Sequence, residues 1–305
     1  MLFKTQMKTR LITLIITVIF FLANTVGAAP KVQLRLNLQK GTTYEMKMNS
    51  INQIDQEMMG QKMKIDQKVE MVFAYTVLDV LPDKNFLVEY SFMSMKMDMN
   101  MNGQQMNMDS ESADGNPMNA AIKDLLSLKL KLTLSPKGQI ENVEGLNEYA
   151  QKLSGNQQLA QAMKMFTDEN SFKSFFAQTF NYFPENEVAV GDQWKSAIKT
   201  PELMNAEIIL IFEVAAIENN QIYLNFKSVV DMETPVEQMG MKMNVKMAGN
   251  QSGKMTVNTT DGWLSSADQI QKFDMKIKMK NPQSGEDMEI PMVINSVTNI
   301  VGMKK

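Results

Sequence analysis

Apolar and polar residues alternate with period two along most of this chain. Tyr44, Met46 and Met48 share one parity, as do Met63, Ile65, Val69, Met71, Phe73 and Tyr75, where Gln67 breaks the apolar face once. The pattern returns in Phe86, Val88, Tyr90 and Phe92, in Leu128, Leu130, Leu132 and Leu134, and in Phe273, Met275, Ile277 and Met279. Lysine, aspartate and asparagine fill the other parity. Successive side chains of a strand point to opposite faces, so this alternation predicts antiparallel strands with one buried face. Gly60, Asn102-Gly103, Pro82-Asp83-Lys84-Asn85, Pro136-Lys137-Gly138, Asn219-Asn220 and Asp261-Gly262 punctuate the runs as turns. Several strands should extend for about nine or ten residues, ~30 Å.

Between 146 and 183 the apolar spacing becomes helical: Leu146, Tyr149, Ala150, Leu153, then Leu159, Met163, Phe166, then Phe172, Phe175, Phe176, Thr179 and Phe180. Breaks at Ser154-Gly155-Asn156 and Asp168-Glu169-Asn170, and the stop at Pro184, divide it into two or three amphipathic helices. A further short helix should follow Asn116-Pro117, with Ile122, Leu125 and Leu126 inward. The strand-rich regions on either side look duplicated. "KGTTYEMKM" near residue 40 matches "VGDQWKSAI" near 190; residues 73–92 resemble 211–228; residues 130–145 resemble 253–268; and the order is kept. Within the first half, "MMGQKMKID" and "MNGQQMNMD" look like one hairpin tip used twice. The expected fold is therefore mainly β (α+β), with long antiparallel strands in a curved, half-barrel or barrel-like sheet. Two related halves, 29–145 and 185–305, flank a helical connecting segment, 146–184.

The amino terminus adds a compartment. "MLFKTQMKTR" carries Lys4, Lys8 and Arg10 and no acid; "LITLIITVIFFLANTV" follows, then Gly27, Ala28 and Ala29. Positive end, apolar middle and small-residue exit predict a signal peptide over 1–28, too short for a retained span of ~20 residues. The mature protein is expected in the periplasm or at the cell surface, without a lipidated cysteine, since the chain has none, and without a transmembrane span. Removing the leader takes the basic count from 31 to 28 against 34 acids, a formal charge of −6, and leaves Arg35 as the lone arginine. That balance excludes a nucleic-acid footprint. Without histidine or cysteine, the usual zinc sites and the Ser-His-Asp and Cys-His nucleophile systems are excluded as well. No carboxylate pair stands out for glycosidase chemistry, so neither catalytic residues nor a cofactor is expected.

The chain holds 30 methionines, and "MSMKMDMNMNG" from Met93 places five at alternate positions. Thioether sulfur is a soft ligand suited to Cu(I). Yet Met239, Met241, Met243 and Met247 share their parity with Val245, and Met275 and Met279 share theirs with Phe273 and Ile277. Hydrocarbon cannot coordinate, so these rows suit packing or an adaptable apolar binding face. If the helices leave part of the concave sheet uncovered, Met95, Met97, Met99, Met241 and Met243 would line a groove for an acyl chain or an apolar partner segment.

"KGTTYEMKM", "LSPKGQIENVEG" and above all "FPENEVAVGDQW" resemble an exported bacterial family of unknown function, over essentially the whole mature chain. These motifs are strand and turn landmarks rather than chemistry. More remotely, long amphipathic strands beside helices are similar to the half-barrel lipoprotein carriers of the LolA and LppX type. That likeness implies acyl-chain binding and carries no residues across. The reading is an exported, non-enzymatic binding protein for a lipid or other hydrophobic ligand. A structural or adhesive envelope protein with a sealed core and a methionine-based Cu(I) binder are its rivals.

Overall fold

The computed structural model describes residues 31–305 apart from 59, 113–118, 120–121, 124–125, 127–128, 154–167, 201–205, 239–240 and 281–284. The signal peptide and the helical positions Leu159, Met163 and Phe166 lie outside the described residues, as does Leu125. Twelve strands form one antiparallel sheet: β1 (Thr43–Met58), β2 (Gln61–Val80), β3 (Phe86–Met101), β4 (Gln104–Asp109), β5 (Lys129–Leu134), β6 (Ile140–Glu144), β7 (Gln193–Thr200), β8 (Ala206–Glu218), β9 (Gln221–Gln238), β10 (Met241–Asn258), β11 (Leu264–Lys280) and β12 (Asp287–Lys304). Their order is β6-β5-β3-β2-β1-β12-β11-β10-β9-β8-β7, with β4 on the outer part of β3. Among the described residues two helices connect the halves, α1 (Leu146–Leu153) and α2 (Glu169–Phe180).

The strands are about twice as long as the alternation predicts: β2 has 20 residues and β9, β10 and β12 have 18 each, ~60 Å at ~3.3 Å per residue. The reason is chemical. Each long strand carries polar residues on its inner parity midway along, so one strand reads as two short apolar runs. In β1 the inner residues are Tyr44, Met46 and Met48, then Ser50 and Asn52, then Ile54. In β12 they are Ile294, then Ser296 and Thr298, then Ile300.

The halves are two meanders joined where β1 pairs β12, from Tyr44–Lys304 to Gln56–Met292. Each begins the same way. Gly41 N donates to Val77 O and Val77 N to Thr42 O; likewise Gly191 N donates to Val214 O and Val214 N to Asp192 O. Both receiving strands then bulge at equivalent places, between Val77 and Asp79 and between Val214 and Ala216. Tyr44 and Trp194 accordingly hold matching positions.

Laid flat, eleven strands ~4.8 Å apart would separate β6 from β7 by ~48 Å. A helix only ~10 Å wide nevertheless touches both, so the sheet curls and α2 closes the gap between its edges. It is an open half-barrel with a helical latch, not a closed barrel. α2 is capped by the Asp168 carboxylate, which accepts from Ser171 N at 2.9 Å. Its stripe of Phe172, Phe176 and Phe180 is buried against Tyr75 and Tyr90 of the sheet. Each ring contributes roughly 1.5–3 kcal/mol by burial. At its end, Asn181 Nδ2 donates to Ala197 O of the β7 edge at 2.7 Å.

An extended strap, 31–38, seals one end of the half-barrel. Val32 bridges Val188, Leu36 N donates to Pro136 O and Asn37 N to Asp261 O. Leu34, Leu36 and Leu38 point into the core. The guanidinium of Arg35 donates to the carbonyls of Leu34, Pro184 and Glu185, tying the strap to the turn after α2. The "FPENEVAVGDQW" and "PKG" landmarks meet here, so their chemistry is that of a structural clasp. Ile122 and Leu126 are helical and pack into this core.

The convex face is wet. Lys96, Lys242, Lys246, Lys276 and Lys278 are exposed on it, as the alternation predicts. Salt bridges such as Lys68–Glu70 and Lys276–Glu289 are exposed, so solvent screening leaves them little to contribute.

Candidate functional site

Register divides the concave face into three zones. Nearest the strap lies an aromatic core of Tyr44, Phe73, Tyr75, Tyr90, Phe92 and Trp263 with the phenylalanines of α2. A polar belt crosses the middle of the sheet: Gln67 faces Asn52, Asn52 faces Ser296, Ser296 faces Gln271, Gln271 faces Gln251, and Gln251 faces Ser228. Beyond the belt an apolar wall takes over, with Met232, Met247, Met275 and Met292 side by side in register across β9 to β12. Val245, Ile277 and Ile290 form the next row on the same face. This wall is mostly half-buried, and its own small cluster of Val230, Met247 and Phe273 is separate from the main core.

The belt is internally bonded. Asn52 Nδ2 donates to Gln67 Oε1 at 3.1 Å, Ser50 and Thr298 share a hydrogen bond of 3.0 Å, and Gln67 Nε2 reaches Met97 Sδ at 3.1 Å. Gln251 Oε1 accepts twice, from Gln269 Nε2 at 3.0 Å and Gln271 Nε2 at 2.8 Å. Glycines frame Gln251 on the same face of β10. A Cβ on Gly249 would lie 2.7 Å from the Phe273 ring, and one on Gly253 would lie 2.4 Å from the Phe226 ring. The two rings therefore fold over bare backbone on either side of the amide.

Under α2, where core, belt and wall meet on the β7–β12 side, lies a partly enclosed cavity of about 270 Å³. Ile208, Leu210, Phe212, Phe226, Met247, Met255, Phe273 and Met275 make its apolar lining. Gln251, Gln269 and Gln271 supply amides, and Thr179, Asn181 and Tyr182 close it from the latch side. Tyr182 is spoken for: its hydroxyl donates to Gly262 O at 2.8 Å. Burial, with the Asp261 carboxylate nearby, holds its phenol well above the usual range. None of the described residues lining the cavity carries a formal charge. The site has the make-up of a hydrophobic-ligand pocket with a few convergent polar groups.

The expected groove residues are distributed differently. Met95 is buried in the main core, and Met97 packs against it opposite Val69 and Met108. Met99 is half-buried opposite Gln67 and Met106. Met243 stands on the outer wall between Val236 and Met279. Met241 pairs with Gln238 at the strand tip. β3 and β10 are five places apart in the sheet, so register does not join the two groups. Met93, first of the alternating five, is 54% exposed, because a bulge between Val72 and Phe73 opposite it reverses the parity of β3. Of the cavity's own methionines, Met247 and Met275 stand in the apolar rows of the sequence but outside the expected groove, and Met255 and the three glutamines stand in neither. "GNQSG" was the available signal, a glutamine between two glycines on an otherwise apolar parity.

A family model matches residues 83–264, and the chain belongs to that family, described as a family of unknown function (DUF6263). A comparison with curated proteins gives no match. Among solved structures, the chain is similar to one on lipid–protein interactions in lipovitellin, with TM-score 0.52 and 8% identity over 88% of this chain. This chain spans 26% of that one, about a quarter of its length. A Pseudomonas aeruginosa structure, OccK5 (OpdH), matches at TM-score 0.23 and 6% identity, over 86% of this chain and 98% of that one.

Proposed function

We propose that this protein is exported and binds a hydrophobic ligand, a lipid or acyl chain, without catalysing a reaction on it. The observation that carries this reading is the cavity of about 270 Å³ under α2, whose described lining is uncharged and which adjoins a half-buried wall of methionine and isoleucine with no helix over it among the described residues. At roughly 30 Å³ per water-sized group the cavity takes about nine such groups, the bulk of a medium-length hydrocarbon chain. The apolar wall offers a continuation for a longer one. Unbranched thioethers adapt to a chain of variable shape where branched side chains would not. The lipovitellin structure sharing this fold concerns lipid–protein interactions, which supports the same reading. Mixed rows such as Met243–Met279 beside Val245–Ile277 favour hydrocarbon contact over Cu(I) coordination. The leader-like first 28 residues support export.

The test uses mature protein purified without detergent. Native mass spectrometry should show co-purifying lipid, or the delipidated protein should enhance the fluorescence of the uncharged probe diphenylhexatriene. Leu210→Trp, which fills the cavity, should weaken probe binding at least ~10-fold, in keeping with loss of several buried methylene contacts. Neither lipid nor probe uptake by the wild type would end the proposal in favour of a sealed structural core.

A further inference from the structure

The ligand's polar end has a chemistry that the cavity wall specifies. We infer that the site selects an amphiphile with an uncharged hydrogen-bonding head, such as an alcohol or amide, over one ending in a carboxylate or phosphate. This rests on the carrier reading above and adds the ligand class to it.

Three observations carry it. First, the described residues of the cavity lining include no lysine, arginine or other charged side chain. An anion taken in would lose its water without gaining a counter-charge, a heavy penalty in a low-dielectric site. Second, the amides are placed and only partly used. Gln251 is buried and accepts from both neighbouring glutamines through one oxygen. Its own Nε2, and the Oε1 atoms of Gln269 and Gln271, have no partner among the described residues. Together they offer one donor group and two acceptors, which suits a hydroxyl or an N–H amide, each able to donate as well as accept, and disfavours an acceptor-only anion. A concerted turn of all three amides would exchange donors and acceptors but bring in no charge. Third, Ser228, directly opposite Gln251 on β9, is 2% exposed and keeps a buried hydroxyl without a partner among the described residues. An unpaired buried hydroxyl is costly, and this one lies opposite amides that line the cavity with open hydrogen-bonding positions, which points to a ligand that pairs with the polar row.

The head would sit at the belt, with its chain running either toward Phe212 and Phe226 or out along the methionine wall. The experiment is displacement of diphenylhexatriene from full-length mature protein at pH 8 by dodecanol, monolaurin and laurate. Dodecanol and monolaurin should displace the probe at concentrations ~10-fold or more below laurate, reflecting the uncompensated burial of a carboxylate. With displacement referred to each variant's own probe affinity, Gln271→Met should narrow that preference by about threefold, because the hydroxyl loses a partner while the cost of burying a carboxylate remains; Gln251→Leu should do the same. Laurate equal to or better than dodecanol in the wild type would overturn the head-group inference while leaving the carrier reading intact. A protein that never binds the probe would remove both. Selectivity unchanged in Gln271→Met and Gln251→Leu would show that the amides do not read the head, and would also overturn it.

Discussion

Two neighbouring methionines show how much the fate of a residue here depends on one backbone irregularity. Met93 and Met95 stand two apart in an unbroken alternation, yet the first is 54% exposed and the second 9%. Replacing Met95 by alanine should cost about 2–5 kcal/mol, as for other buried methionines. Met93→Ala should stay within about 0.5 kcal/mol. Urea unfolding of both variants checks this, and equal losses would contradict the placement of the bulge. The sequence held a hint: Phe86 to Phe92 run on even positions and Met95 to Met101 on odd ones, so the apolar parity must switch between them. Gly253 makes the complementary point. A Cβ there would stand 2.1 Å from Asp268 O as well as against the Phe226 ring. Gly253→Ala should therefore destabilise by about 1–3 kcal/mol through overpacking. That lowers the melting temperature by roughly 2–4 °C per kcal/mol, measurable by differential scanning calorimetry. The candidate groove methionines were found by parity alone, which identifies a face and cannot say which part of the face is covered.

At the scale of elements, α2 decides what is covered. Its limits were legible to within a few residues: the expected break at Asp168-Glu169-Asn170 overlaps its first turn, and the helix ends at Phe180, shortly before the stop at Pro184. Its position was not legible, because nothing local says that one helix will bridge the first and last strands of a sheet. Phe176 is the test of that bridge. It is 3% exposed, stacks on Phe180 at 4.5 Å and meets Tyr75 edge-on. Phe176→Ala should cost about 3–5 kcal/mol. It should also loosen the seam, so that hydrogen exchange accelerates in β6 and β7 before it does in β1 and β12. Uniform acceleration across the sheet would show that α2 is packing only and not a latch. Strand lengths were misread for a reason that bears on function. The polar belt interrupts the apolar parity at Ser50–Asn52, Gln67, Gln251, Gln269–Gln271 and Ser296–Thr298. Those interruptions look like strand ends to a period-two reading. In space they form one continuous row, and the row borders the cavity.

The whole molecule is held shut by contacts remote in sequence. β1 meets β12 some 250 residues away, and the strap residue Asn37 bonds Thr260. Such closure is invisible to local pattern, though the duplicated halves foreshadow it, since two meanders placed end to end present matching strands at the join. The core they enclose is rich in tyrosine, and this gives the protein a distinctive alkaline limit. Burial raises the phenols of Tyr44, Tyr75 and Tyr182 above the ordinary value of 10.0, and the Asp261 carboxylate adds to the effect at Tyr44 and Tyr182. The folded protein keeps these three protons where the unfolded chain gives them up. Their contribution is therefore fully present below pH 10 and is lost as pH climbs from there toward the folded values. With three groups at up to ~1.36 kcal/mol per unit each, the more solvent-screened Tyr44 contributing less, stability should fall by roughly 3–4 kcal/mol per pH unit once the unfolded tyrosines are ionised. A protein of ordinary stability, ~5–15 kcal/mol, would then unfold within a few units above pH 10. Urea titrations between pH 8 and 11.5 measure the slope, and Tyr75→Phe should reduce it by about one third, the share of one group in three. A flat profile through pH 11, or a variant slope equal to that of the wild type, would mean that these phenols reach water and that the aromatic end of the half-barrel is open.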